Sequence, residues 1–349
     1  MINCPINIGR FKNLLPKFFA EKKFSQHIVL IDENTGKHCL PILSPLLPEV
    51  KTIQIPSGEA HKNLETCRYI WDRLMDYEAD RNSVLINLGG GVICDMGGFA
   101  ACTYKRGIPY VQIPTTVLAQ VDAAIGCKLG VDYHGVKNMI GLIKCPNAIF
   151  INADFFKTLP LRQITNGMAE MVKHTLIANA GMYQELARFL PIHLRSKLQW
   201  YKIIEHSIEI KMKFVNADPQ EQGERKKLNF GHTFGHGIES YSLLHHKNHL
   251  LHGEAIAMGM MAELYLSGKK LNLPKKEISK IMPKLATLLP EHYNKLTPDA
   301  FPEILNYMKH DKKNSNGMIK CVLLNKIGNA VIDVTITNDE IEEALQTLC

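Results

Sequence analysis

The apolar run at residues 83–88 (SVLINL) ends in three consecutive glycines, Gly89-Gly90-Gly91, and a helix-compatible stretch follows to about Cys102. A strand that breaks into glycines and re-forms as a helix makes a turn whose backbone amides can approach a pyrophosphate, with the helix N-terminus adding positive potential. The spacing differs from the GxGxxG of dinucleotide-binding turns, so the turn alone does not name a ligand. The surrounding pattern says more. Residues 27–32 (HIVLID), 50–55 (VKTIQI) and 108–113 read as strands, and Asn63 is placed to cap a helix through LETCRYIWDRLMDYEAD, where apolar residues recur three and four apart. Strands alternating with helices predict a parallel sheet of the nucleotide-binding kind. Pro114-Thr115-Thr116 closes one of these strands and offers two hydroxyls there.

From about Thr158 the character changes. Residues 161–186, 200–215, 235–242, 253–271 and 276–289 read as helices, and only 319–324 and 330–334 as strands. The expected fold is an α/β N-terminal nucleotide-binding domain with a parallel sheet, residues 1–157, followed by a mostly α-helical C-terminal domain, residues 158–349. The 349 residues suit two domains of roughly 150 each. With 46% apolar and 21% charged residues, a disordered chain, a collagen-like repeat and a coiled coil are excluded. The formal charge of +7 is a mild excess. Its short clusters, among them Lys226-Lys227, Lys269-Lys270 and Lys312-Lys313, make no basic stripe, so a small anionic substrate is expected and a nucleic acid is not. Nine cysteines without a CxxC pair suggest neither a disulfide framework nor a zinc ribbon. MINCPINIGRFKN lacks the signal-peptide pattern, and no run approaches the ~20 apolar residues of a membrane span. The expectation is a reduced, cytoplasmic protein.

The helical half collects Glu170 in MAEMVKH, His232 and His236 in NFGHTFGHGIES, and His252 with Glu254 in LLHGEAIAMG. His232 and His236 are four apart and share a helical face, as paired metal ligands often do. A buried carboxylate costs several kcal/mol unless it is paired or binds metal. A glutamate and several histidines on apolar helical segments therefore point to a catalytic zinc site. Lys128, Lys137, Asn138, Lys173, Lys211, Arg225 and Asn229 are candidate anion binders; Lys128 and Lys137 stand out in the Gly-rich, otherwise apolar DAAIGCKLGVDYHGVKNMIG.

Taken in order, GGGVICDMGGFAACTYKRGIPYVQIPTTVLAQVDAAIG, KNMIG, FFKTLP, MAEMVKH, LNFGHTFGHGIE, HGEAIAMGM and DKKNSNG resemble the 3-dehydroquinate synthase family of sugar-phosphate cyclases, from about Asp32 to Gly328. The resemblance implies an NAD-binding α/β domain and a helical domain. It implies a zinc (or cobalt) ion on Glu170, His232 and His252, with His236 an active-site residue and not a ligand. NAD+ would meet Asp32, Glu59, Lys62, Gly90, Gly91, Asp95, Thr115, Thr116 and Thr158. Substrate would face Asp122, Lys128, Asn138, Lys173, Lys211, Arg225, Asn229, His236 and one of Lys312 and Lys313. Arg106, in YKRG, matches an arginine that family members present across a homodimer interface.

Departures fall inside the motifs. Cys94 replaces the last glycine of GGGxxGD, Cys127 the second glycine of GGK, Gln163 a common glutamate after TLP, and Asp132-Tyr133-His134 an Asn-His-Pro. Cys94 would be strained if its backbone needed a positive φ. The implied reaction is that of a phosphorus–oxygen lyase of the shikimate pathway of aromatic amino acid biosynthesis. It turns 3-deoxy-D-arabino-heptulosonate 7-phosphate into 3-dehydroquinate and phosphate, with NAD+ used catalytically. The rivals are a related cyclase making a cyclitol, a metal-dependent polyol dehydrogenase, and a non-catalytic nucleotide- and metal-binding protein. Retention of Lys211, Arg225, Asn229, His236 and the DKK lysines, which suit a substrate carboxylate, favours the first reading.

Overall fold

The computed structural model describes residues 4–134, 136–188, 190, 197–291, 296–310 and 319–349. Two compact units result, residues 1–160 with 196–208, and residues 161–195 with 209–349. The chain thus crosses between the units more than once, residues 196–208 returning to the first.

The first unit is built on β1 (Ile6–Ile8), β2 (His27–Asp32), β3 (Val50–Ile55), β4 (Val84–Gly89), β5 (Tyr110–Pro114) and β8 (Ala148–Ile151). They form one sheet in the order β1-β8-β5-β4-β2-β3, parallel at every pairing. β4 and β5 are buried at every position, so apart from the buried Asn87 and Gln112 they read as apolar runs and not as alternation. Helices α1 (Phe11–Glu21), α2 (Glu33–His38), α3 (Leu40–Leu43), α4 (Leu64–Asp76) and α5 (Gly91–Thr103) connect and cover the strands. Asn63 caps α4 as expected, its Oδ1 accepting from Thr66 N at 3.0 Å. Ile70 and Leu74 of α4 and Met96 and Ala100 of α5 pack with Ile28, Leu30, Ile53 and Leu85 of the sheet.

The Gly-rich stretch after Asp122 is a separate antiparallel hairpin, β6 (Lys128–Tyr133) with β7 (Val136–Ile143). Its base corrects the expectation of wholly reduced cysteines, since Cys127 and Cys145 form a disulfide with Cα atoms 4.5 Å apart. Hairpin pairing brings the two together, with Lys144 N donating to Cys127 O at 2.8 Å. Counting cysteines cannot reveal that. Cys94 carries no strain, because it lies inside α5 with no positive φ; Cys127 and His134 are the substituted positions that do, at φ 63° and 48°.

The second unit contains α6 (Leu161–Ala178), α7 (Ala180–Ala187), the later part of α8 (Lys197–Ala217), α9 (His232–His245), α10 (His252–Leu271), α11 (Lys275–Ala286), α12 (Phe301–His310) and α13 (Asn338–Gln346), with the antiparallel pair β9 (Ile319–Lys326) and β10 (Asn329–Ile336). The single helix expected over 161–186 is two. Asn179 leaves helical geometry and its side chain accepts from Met182 N, starting α7 afresh. Phe234, Ile238, Met258, Ala262, Ile304 and Leu323 centre the core. No described helix is long and apolar enough to cross a membrane.

Candidate active site

In the first unit, chain order fixes where a nucleotide can lie. β3 pairs on one side of β2 and β4 on the other, so strand order reverses between β2 and β4. Open α/β sheets bind ligands beyond the carboxyl ends of strands at such a reversal. There β2 ends in Asp32, β4 in Gly89, and β5 in Pro114 just before Thr115 and Thr116. Gly90 begins α5 with no side-chain cap, so the first-turn amides of α5 are not taken up by a capping group. Space is tight around them: a Cβ on Gly90 would sit 3.3 Å from Thr116 Cγ2, and one on Gly91 3.2 Å from Ala123 Cβ.

The neighbouring polar groups are tied down. Asp32 accepts from Thr35 N at 2.7 Å, capping α2. Thr115 N donates to Gly89 O at 2.9 Å, and Thr116 Oγ1 accepts from Ala119 N at 3.1 Å. One turn into α5, Asp95 Oδ2 lies 2.6 Å from Lys62 Nζ, which also donates to Asn138 Oδ1 at 2.6 Å. Burial disfavours the Lys62 ammonium, yet Asp95 and Glu59 outweigh it and hold the group charged, above the ordinary lysine range. Lys137 approaches Glu59 at 3.5 Å.

The second unit assembles its site from three helices. Glu170 stands fully buried on α6, His232 is the first residue of α9, and His252 the first of α10. One ligand atom from each lies within 4.8 Å of the others. His232 Nε2 and His252 Nε2 are 3.7 and 3.6 Å from Glu170 Oε1. A metal bound at 2.0–2.2 Å in a tetrahedral site holds its donors about 3.4 Å apart, and both histidine nitrogens stand within a few tenths of an ångström of that spacing from Glu170 Oε1. One carboxylate and two imidazoles also form the donor set of catalytic zinc sites that leave a position open. Lys173, one turn along α6 and 1% exposed, pairs with Glu170 Oε2. His236, one turn along α9, has its ring centroid 5.2 Å from that of His232.

Close backbone approach makes this cluster possible. A Cβ on Gly235 would sit 3.1 Å from Ala255 O, so α9 and α10 meet almost backbone to backbone. Gly231, at φ 82°, turns the chain into α9 and donates its N–H to the buried Glu263 at 2.6 Å. On α6, Arg162 grips Glu254 through two hydrogen bonds of 2.7 Å, and Asn166 Oδ1 accepts from Gly253 N at 2.6 Å. Arg162, Asn166, Glu170 and Lys173 thus form one face of α6, gripping HGE at the start of α10. Glu239 Oε2 faces His252 Nδ1 at 3.2 Å. Burial works against the His252 imidazolium, but Glu239 and Glu170 prevail and carry its pKa up to about 9. A proton and a metal therefore compete for this ring.

Comparison with known proteins identifies the scaffold. The profile of the 3-dehydroquinate synthase N-terminal region matches residues 52–166, and that of the 3-dehydroquinate synthase C-terminal region matches residues 167–314. The chain belongs to the 3-dehydroquinate synthase family. It is an enzyme of that family, 38% identical to the 3-dehydroquinate synthase of Parabacteroides distasonis over 96% of this chain and 94% of the relative. The Acetivibrio thermocellus enzyme of the same name is 36% identical over 97% and 94%. Among solved structures, 2-deoxy-scyllo-inosose synthase with carbaglucose-6-phosphate, NAD+ and Co2+ has a TM-score of 0.87 at 25% identity, covering 99% of this chain and 96% of the other. The 2-epi-5-epi-valiolone synthase of Streptomyces hygroscopicus, with NAD+ and Zn2+, gives 0.84 at 27%, covering 100% and 97%. Glycerol dehydrogenase from Schizosaccharomyces pombe, at 15% identity and a TM-score of 0.66, shares the fold alone.

Of the residues expected in the site, Glu170, Lys173, Lys211, Arg225, Asn229, His232, His236 and His252 lie in the second unit; Asp32, Glu59, Lys62, Gly90, Gly91, Asp95, Arg106, Thr115, Thr116, Asp122, Lys128, Asn138 and Thr158 lie in the first. Thr158 hydrogen-bonds within its own turn, to Phe155 O at 3.3 Å. Arg106 is exposed on a turn where Lys105, Arg106 and Gly107 all have positive φ. Lys312 and Lys313 lie outside the described residues. Sequence reasoning passed over Arg162, Asn166, Asp218, Glu239 and Glu263. Asp218 accepts from Gln222, Gly223 and Arg225 N–H groups, which hold its pKa below the usual carboxylate range and shape the turn carrying Arg225 and Asn229.

Proposed function

We propose that the chain is a 3-dehydroquinate synthase, converting 3-deoxy-D-arabino-heptulosonate 7-phosphate to 3-dehydroquinate and phosphate. The observation that carries this is the Glu170, His232 and His252 donor set with Lys173 paired to Glu170, in a family whose C-terminal profile spans all four. Glu170, His232 and His252 hold a divalent metal, zinc or cobalt. The first unit binds NAD+ at Asp32, Glu59, Lys62, Gly90, Gly91, Asp95, Thr115, Thr116 and Thr158. When bound, NAD+ supplies a reversible hydride acceptor and the metal a Lewis acid for substrate hydroxyls.

The chain's own groups do the rest. The Arg225 guanidinium is pre-set by Pro219 O at 2.8 Å, so little ordering is lost when it grips a carboxylate or phosphate. Lys211 is buried on α8 and adds a second cation; Asn229 and His236 contribute polar contacts for hydroxyls. Lys173 balances the charge of Glu170 and donates toward the substrate. Asp122, Lys128, Asn138 and a lysine of DKK complete the substrate contacts. Alignment of this kind can lower barriers by several kcal/mol.

Purified protein given the heptulosonate phosphate, metal and trace NAD+ is expected to release phosphate over many turnovers with no net NADH. Stoichiometric NADH would instead support a polyol dehydrogenase. Turnover of glucose 6-phosphate or sedoheptulose 7-phosphate in place of the heptulosonate would support a cyclitol-forming relative. We further infer a cytoplasmic homodimer in which Arg106 serves the partner's phosphate site. The positive φ of two consecutive non-glycine residues, Lys105 and Arg106, supports this, since such geometry is costly and gathers at functional positions.

A further inference from the structure

The two histidines of the donor set are backed differently. His232 turns Nδ1 to a backbone carbonyl, Phe230 O, at 3.3 Å, whereas His252 turns Nδ1 to a carboxylate oxygen of Glu239 at 3.2 Å. Glu239 is 3% exposed and lies on α9 seven residues after His232, two turns along the same face. One helix thus supplies both a donor of the cluster and the partner of a second donor on α10. We infer that Glu239 is a positioning residue for metal binding. By accepting the His252 Nδ1–H it fixes the tautomer and ring orientation, leaving the Nε2 lone pair directed at the space shared with Glu170 Oε1, 3.6 Å away.

A carboxylate behind an imidazole also makes that imidazole the better donor. His252 is therefore the ligand whose strength depends on a side chain, and His232 the one whose strength depends on the backbone. Neither the donor set nor the sequence spacing of the histidines carries this distinction. It arises because α9 and α10 pack closely enough for Glu239 to reach across. This assignment rests on Glu170, His232 and His252 holding a metal.

The test uses the metal-free full chain titrated with cobalt(II) and then competed with a chelator. Glu239→Gln keeps the shape and an acceptor oxygen but removes the charge; Glu239→Leu leaves Nδ1 without an acceptor at that position. Cobalt affinity is expected to fall in the order wild type, Gln, Leu, by about 10–100-fold overall. The visible cobalt absorption is expected to shift, while the metal-free Gln variant still folds cooperatively, melting below the wild type because it loses the Glu239–His252 charge pair. Unchanged affinity and spectrum in Glu239→Gln overturn the assignment, and this variant decides if the Leu protein does not fold. Failure of the wild type to bind cobalt overturns the metal reading itself, a different result from equal binding by both proteins.

Discussion

Gly253 is the point at which packing and metal binding are the same question. It follows His252 in the first turn of α10, where alanine is normally the better helix former by about 1 kcal/mol. A Cβ there would fall far inside contact distance of the Asn166 backbone carbonyl on α6, and 2.9 Å from Asn166 Oδ1. A backbone carbonyl cannot rotate aside, so α10 must back away from α6 by about 1 Å. Overpacking costs about 1–3 kcal/mol, and a clash against a backbone carbonyl that cannot give way takes the upper part of that range, about 2–3 kcal/mol, which exceeds the propensity gain. The expected net loss for Gly253→Ala is about 1–2 kcal/mol, a fall of about 2–8 °C in the melting temperature of the metal-free protein. Metal sites tolerate only about 0.2 Å in ligand distance, so moving His252 from Glu170 is also expected to weaken zinc binding at least tenfold. Gly181→Ala is the control: it too lies at the start of a helix, and its Cβ would meet only Asn179 Oδ1 at 3.4 Å, an ordinary contact. Melting curves and chelator competition on both variants decide the matter. A Gly253→Ala protein with wild-type melting temperature and zinc affinity refutes the coupling of α6 to α10 through this contact.

Further outcomes follow from other contacts. Arg162→Met leaves the buried Glu254 without its two-pronged partner; with Arg162 itself 42% exposed, the expected loss is about 1–3 kcal/mol in urea unfolding, below that of a wholly buried pair. Non-reducing peptide mapping should recover a Cys127–Cys145 cross-linked peptide, and Cys145→Ser should lose up to about 3 kcal/mol, the loop-closure value for a sequence separation of 18. A reduced pair in freshly isolated protein would count against that bond. Arg106→Ala is expected to raise KM for the phosphate substrate while zinc and NAD+ binding stay unchanged. Mixing it with inactive Lys173→Ala should restore part of the activity, and a fully active monomer would refute the shared site.

The sequence was legible wherever one segment decides the outcome. β4 and β5 could be found because a strand buried on both faces is mostly apolar, here at every position but Asn87 and Gln112, and Asn63 because a cap acts within one turn. The hairpin of β6 and β7 was harder, since β7 is largely exposed and its strand pattern is diluted by Lys137, Asn138 and Gly141. What spacing could not settle is which groups from different helices meet. His232 and His236, four apart, share a face of α9 and their rings stand 5.2 Å apart, so local periodicity pairs them. The ligand-atom cluster instead joins His232 to His252 on α10 and Glu170 on α6. The reason lies in the interfaces and not in the histidines. Gly235 lets α9 approach α10, Gly253 lets α10 approach α6, and the buried Glu254 and Glu263 hold the two helix starts in place. Each of these residues looks unremarkable in one dimension, a small residue or an acid on a helix. Only the crossing of three helices gives them a common task, which is to set the positions from which one carboxylate and two imidazoles converge.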